Sequence, residues 1–273
     1  MSPFLAARLP AEDELARDMG ALAKVLFADE IRILGGEPLL NPRIVPILRA
    51  ARASEVAARV VVPTNGVLLH TMPDDFWENV DEVRLNLYPG ARPNERRIEQ
   101  ARQRAQESGT QLEISGYSSF RVTMVTEPHP PGPITNLIFR TCKNAHMYHC
   151  HMVHAGWFYK CSCPAYLTEY LARLGQPGYQ PENDGFDIHR AADLRTELWR
   201  FLTESRALDA CRHCLGYVGK QQTHEQLTTE ETRDARCRPI TRRTHLSRSA
   251  LIAETCGYFG RRLSEPFVRK PQW

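Results

Sequence analysis

Short apolar runs alternate with amphipathic stretches along the first half of the chain. Leu15, Met19, Leu22 and Leu26 recur at helical spacing, so 11–28 reads as an amphipathic helix, with Glu12, Asp13 and Glu14 favouring its first turn. Ile31, Ile33 and Leu34 read as a short buried strand. Asn41-Pro42 opens a second helix with Ile44, Ile47, Leu48 and Ala51 on one face. Val60-Val61-Val62 and Val83, Leu85 and Leu87 predict two further strands, separated by Phe76 and Trp77, which read as core. A charged helix over 93–108 and strands at 112–115 and 120–125 follow.

This alternation predicts parallel strands joined by helical crossovers. A polar cluster closes each strand: Gly35-Gly36-Glu37-Pro38, then Thr64-Asn65-Gly66, then Asn86. In a parallel sheet those ends share one rim, where α/β folds hold ligands. Glycine there leaves backbone bare for close approach, and Glu37 adds one carboxylate. The first helix lacks a preceding strand from which to cross over, so the sequence reads as opening in the middle of a unit.

Composition narrows the class. Hydrophobic residues make up 42% and charged residues 25%, an ordinary globular balance. A net charge of +3 gives no argument for nucleic acid, and no apolar run reaches membrane-spanning length. The expected compartment is the cytoplasm, where thiols stay reduced. Eight cysteines then point to a metal or cluster site, because six of them fall between Cys142 and Cys214.

Thr126-Glu127-Pro128-His129-Pro130-Pro131-Gly132-Pro133 reads as a stiff linker. The expected division is an α/β unit over 1–127, a cysteine module over 134–220 and a polar basic tail over 221–273. In the module, Gly156 to Cys161 reads as a hairpin turn and a strand carrying a thiol, and Cys211-Arg212-His213-Cys214 is a Cys-x-x-Cys knuckle. Cys142, Cys161, Cys211 and Cys214 form the candidate ligand set, with Cys150 the first replacement and Cys163 a competitor. The spacing does not choose between zinc and iron–sulfur. Cys237 and Cys256 read as buried or free thiols. Trp199 is expected to pack a helix, His70 and His189 to lie on the surface, and Thr241 to Arg248 to form a solvated basic face.

Gly35-Gly36-Glu37-Pro38, Thr64-Asn65-Gly66 and Asn86, followed by Cys142…Gly156…Cys161…Cys211-x-x-Cys214, resemble the radical S-adenosylmethionine superfamily, and within it members with a C-terminal SPASM or twitch extension. The resemblance covers roughly 1–217 and implies a partial (β/α)6 barrel, here missing its first strand. It implies that Gly35, Gly36, Glu37 and Pro38 bind the methionine end of S-adenosylmethionine. Asn65 and Asn86 would hold the carboxylate or ribose, and the cysteines an auxiliary [4Fe–4S] cluster. In such enzymes a reduced cluster generates a 5′-deoxyadenosyl radical that takes hydrogen from substrate, with electrons from a flavodoxin or ferredoxin. Substrates of relatives include peptides, sugars and small metabolites. The family's Cys-x-x-x-Cys-x-x-Cys does not occur, and no cysteine precedes Cys142. The expectation is a truncated form, inactive alone and with an exposed edge at 31–34; the alternative is a non-catalytic binding protein with a structural zinc or iron–sulfur site.

Overall fold

The computed structural model describes residues 10–90, 92–224 and 239–264. Four parallel strands form the principal sheet: β1 (Ile31–Arg32), β2 (Val60–Thr64), β3 (Glu82–Leu87) and β4 (Gln111–Gly116), in the order β1-β2-β3-β4. Helices α1 (Glu12–Leu22), α2 (Ile44–Ala53), α3 (Asp74–Glu78) and α4 (Glu95–Ser108) alternate with them. Sequential order with every strand parallel is single winding, as in β/α barrels; a doubly wound sheet reverses its order. Four strands do not close a barrel.

One core explains the winding. Leu48 and Ala51 of α2, Phe76 and Trp77 of α3, and Ala101 and Ala105 of α4 pack with Val60, Val62 and Val83. The three helices therefore cover the same sheet face. Strand alternation sends Glu82, Arg84 and Asn86 to the other face, with Glu113 and Ser115 beside them in register. That face is polar. At its N-terminal end, Arg84 pairs with Glu30 at 2.7 Å and with Glu82 at 2.5 Å, and Arg59 reaches both carboxylates. Charged groups thus clamp the strand starts, and the opposite rim is left for chemistry.

Three sequence expectations change. The strand expected over 31–34 shortens to Ile31–Arg32 and is only partly buried, with Ile31 and Ile33 against the core and Leu34 55% exposed; among the described residues it is the sheet edge that was expected. The helix expected to Ala28 ends at Leu22, where Val25 and Leu26 both bond back to Leu22 and Ala28 then bridges Ala57. The strand expected over 120–125 is β5 (Ser119–Arg121), which leaves the parallel sheet.

β5 pairs antiparallel with β9 (Gln221–Thr223), so the expected tail starts with a strand that folds back on the α/β unit. The proline-rich segment is packed rather than free. Thr126 and Ile240 exchange backbone and hydroxyl hydrogen bonds, and the His129 amide donates to the Arg212 carbonyl. A third sheet, β6 (Met152–His154), β7 (Trp157–Tyr159) and β8 (Gly185–Asp187), carries the cysteine segment. Ala155 and Gly156 turn between β6 and β7 with φ of 52° and 79°, the pair of left-handed residues that a two-residue hairpin demands. Met19 and Leu22 of α1 join Phe158, Ile188 and Leu198 in one core, which binds the two halves together. Trp199 is 44% exposed, and His189 is engaged by Asp18. Cys237 lies outside the described residues; Cys256 is exposed. Among the described residues, no helix is long and apolar enough to cross a membrane.

Candidate functional site

The rim is built on Glu37. Gly35 and Gly36 are exposed, and Pro38 starts a single 3-10 turn, Pro38–Leu40, that Glu37 caps by accepting from the Leu39 amide at 3.1 Å. The same oxygen accepts from Thr64 Oγ1 at 2.7 Å, and the other from the Asn65 amide at 2.9 Å. Groups 27 and 28 residues apart thus meet at one carboxylate. A carboxylate has about four lone-pair positions, so three bonds leave one for a ligand donor.

The other rim residues are set by their own turns. Asn65 Oδ1 accepts from the Val67 amide at 2.9 Å. Gly66 has φ 76°, and a Cβ there would stand 2.1 Å from Leu85 Cδ1. Gly35 is different: the nearest atom to an added Cβ is 3.8 Å away. Nothing inside the protein needs Gly35 bare, so the bareness is free to serve a ligand.

Asn86 hydrogen-bonds Tyr88, a residue the sequence reading passed over. Burial raises the Tyr88 phenol above its ordinary pKa, with Tyr117 and the Glu37 charge adding to it. Tyr88 stacks on His224 with centroids 5.3 Å apart, and Tyr117 and Phe120 flank it at 5.9 and 5.5 Å. The signal was available as aromatic residues just past strand ends. Their meeting depends on the pairing of β5 with β9.

The cysteines form a second constellation. Cys142, Cys161, Cys163, Cys211 and Cys214 line one pocket of about 30 Å³ with Ile138, Phe139 and Leu208. Cys150 is not on its wall. His149, with φ 46°, turns the chain so that the Cys150 thiol faces the Tyr148 carbonyl, while Cys163 starts the helix Cys163–Arg173 and points inward. Backbone amides separate the five: those of Ala145 and Asn144 bond Cys142, Cys163 bonds Cys161, Leu208 bonds Cys211, and Gly216 donates to Cys214 at 3.2 Å. Cys163 has its bonds to sulfur instead, with Cys214 and with Met124 Sδ at 3.6 Å. Amide donors stabilise sulfur that carries negative charge.

Burial raises the Cys142 thiol to about 11 and the Cys211 thiol well above its ordinary value, whereas the hydrogen bond from Cys163 lowers Cys214; a metal bound here would displace the protons of the first two. Among the described residues no group of three or more His, Cys, Asp or Glu is placed to hold a single metal ion. The sulfurs ring a pocket instead. Lys160 lies buried beside them, its Nζ donating to the Glu204 carbonyl at 2.5 Å, and desolvation lowers its pKa.

Over part of its length the chain is similar to a known enzyme. A stretch of 68 residues is 41% identical to GTP 3′,8-cyclase from Chlorobaculum tepidum. It takes in 24% of this chain and spans 21% of the length of that relative. The partial likeness supports a link to the radical S-adenosylmethionine superfamily, of which that cyclase is a member. No protein-family model matches the chain.

Proposed function

We propose that the rim binds S-adenosylmethionine and that the cysteine pocket holds an auxiliary [4Fe–4S] cluster, in a protein of radical S-adenosylmethionine type. The observation that carries the reading is the Glu37 carboxylate, held by Thr64 and Asn65 across two strand ends with one acceptor position left. That position suits an ammonium, a charge-assisted partner. Gly35 and Gly36 would admit the methionine backbone, and Asn65 and Asn86 would face its carboxylate or ribose. Leu34 and Leu40, 55% and 70% exposed, flank the loop as apolar contacts.

Cys142, Cys161, Cys211 and Cys214 would hold the auxiliary cluster, because each already has an amide donor at its sulfur. Bound there, a cluster supplies electron transfer or a site for substrate ligation. Pro38 shapes the loop; the rim end of the polar face, bearing Asn86 and Ser115, is left for substrate, whether peptide, sugar or small metabolite. The reading assigns no residue of this chain to cleaving the sulfonium. A flavodoxin or ferredoxin would be its electron donor, and the cytoplasm its setting.

Isothermal titration tests the rim: S-adenosylmethionine should bind the wild type, bind Glu37→Gln and Gly35→Val at least about tenfold more weakly, and leave Cys256→Ser unchanged. Anaerobic reconstitution with iron and sulfide tests the pocket. A colourless protein that takes up one zinc instead would replace this reading with a structural zinc site.

A further inference from the structure

A second cavity lies off the rim and borders the cysteine pocket through His129, which lines it and whose Nε2 is 3.2 Å from the Cys214 carbonyl. It has a volume of about 590 Å³ and opens between the proline-rich segment and the chain after Thr241. Its size falls within the usual range for small-molecule sites. Arg242, Arg243 and Arg248 line it, with Glu127 the carboxylate on the wall. Among the described residues none of these arginines has an ion-pair partner, although most arginines of the α/β unit do. Three arginines on one cavity wall, unpaired among the described residues, repel one another unless an anion joins them.

The walls are fixed. Thr126 ties Ile240, the Lys220 amide donates to the His245 carbonyl at 2.7 Å, and the Ser247 amide donates to Val218 at 2.8 Å. The arginines are therefore presented on anchored backbone, which lowers the ordering cost of binding. Ile134 and Leu246 supply apolar surface to the same cavity. An inorganic ion would fill little of that volume.

We propose that this cavity binds a small organic phosphate, its anionic group on Arg242, Arg243 and Arg248 and its body against Ile134 and Leu246. A basic run that reads in sequence as a solvated face is on this proposal a ligand site.

Phenyl phosphate is the probe, titrated calorimetrically into the full chain. The wild type should bind it, with inorganic phosphate weaker and phenol silent. The double variant Arg242→Gln/Arg243→Gln should weaken binding at least about tenfold. The control Arg96→Gln/Arg102→Gln, which removes the same charge from α4, should not. Arg248→Gln gives a second reading should the double variant fail to fold. No binding at about 10 mM probe, equal losses in variant and control, or inorganic phosphate binding as tightly would each overturn the proposal. Titration of S-adenosylmethionine into the same variants should be unaffected, so this site and the rim stand or fall separately.

Discussion

Asp18 and His189 lie 2.6 Å apart, Oδ1 to Nε2, although 171 residues separate them. The other Asp18 oxygen accepts from the Gly156 amide at 2.9 Å. The Asp18 side chain is only 3% exposed. One buried carboxylate therefore pins helix α1 to the hairpin that precedes Cys161. Asp18→Ala should destabilise the protein by about 2–4 kcal/mol, because it strands a buried amide and an imidazole. Asp18→Asn keeps one acceptor and should cost less. Urea unfolding of both variants measures the difference; equal stability of Asp18→Ala and wild type would mean that the contact contributes nothing.

Gly66 and Gly35 should separate structure from binding. Gly66→Ala places a Cβ against Leu85 at a left-handed φ, and should cost roughly 1–3 kcal/mol. Gly35→Ala meets no atom closer than 3.8 Å and should fold like wild type. Thermal melts read this contrast directly, and a large loss for Gly35→Ala would show an internal role for that glycine.

Glu37 is both a tie and a proposed ligand group. Glu37→Ala removes the acceptor of three bonds and should destabilise by about 1–3 kcal/mol. Glu37→Gln retains one oxygen, so its stability loss should be smaller while its loss of S-adenosylmethionine binding stays large. Denaturation and titration on the same samples would show whether the two effects part.

Single serine variants should sort the cysteines. Those at Cys142, Cys161, Cys211 and Cys214 should lose iron and the broad absorption near about 400 nm after reconstitution. Cys150→Ser and Cys256→Ser should retain both, and Cys163→Ser should retain the iron. Iron retained in all four of the first set would exclude the ligand assignment.

Acid should weaken the fold before carboxylates titrate. Burial holds His129 and His151 at about 4, below the ordinary histidine value of about 6.5. The unfolded chain then binds more protons between those values, so stability falls as pH drops from about 6.5 to about 4. His129 Nε2 and Nδ1 lie 3.2 and 3.3 Å from the Cys214 carbonyl and Thr135 Oγ1. His129→Asn should flatten part of that slope in urea titrations at stepped pH. An unchanged slope would show that His129 does not contribute.

Local order was legible in the sequence. A valine run marked β2, the alternation of Val83, Leu85 and Leu87 marked β3, and helical spacing placed α2, because each pattern follows the pitch of a single element. The Gly-Gly-Glu-Pro loop was visible for the same reason: its backbone demands are local. Tertiary structure decided what such patterns do not carry. It put Cys163 on the pocket wall and Cys150 off it, because the backbone at His149 turns one thiol away. It tied down a proline-rich segment that reads as a linker, by burying Thr126 and His129 and giving them distant backbone partners while its prolines stay exposed. It ended β1 at Arg32 and left Leu34 exposed. It brought three arginines of a polar run to the wall of one cavity. Each of these depends on which groups far apart in the chain come to share a neighbour, and hydrophobic period along one segment holds no record of that.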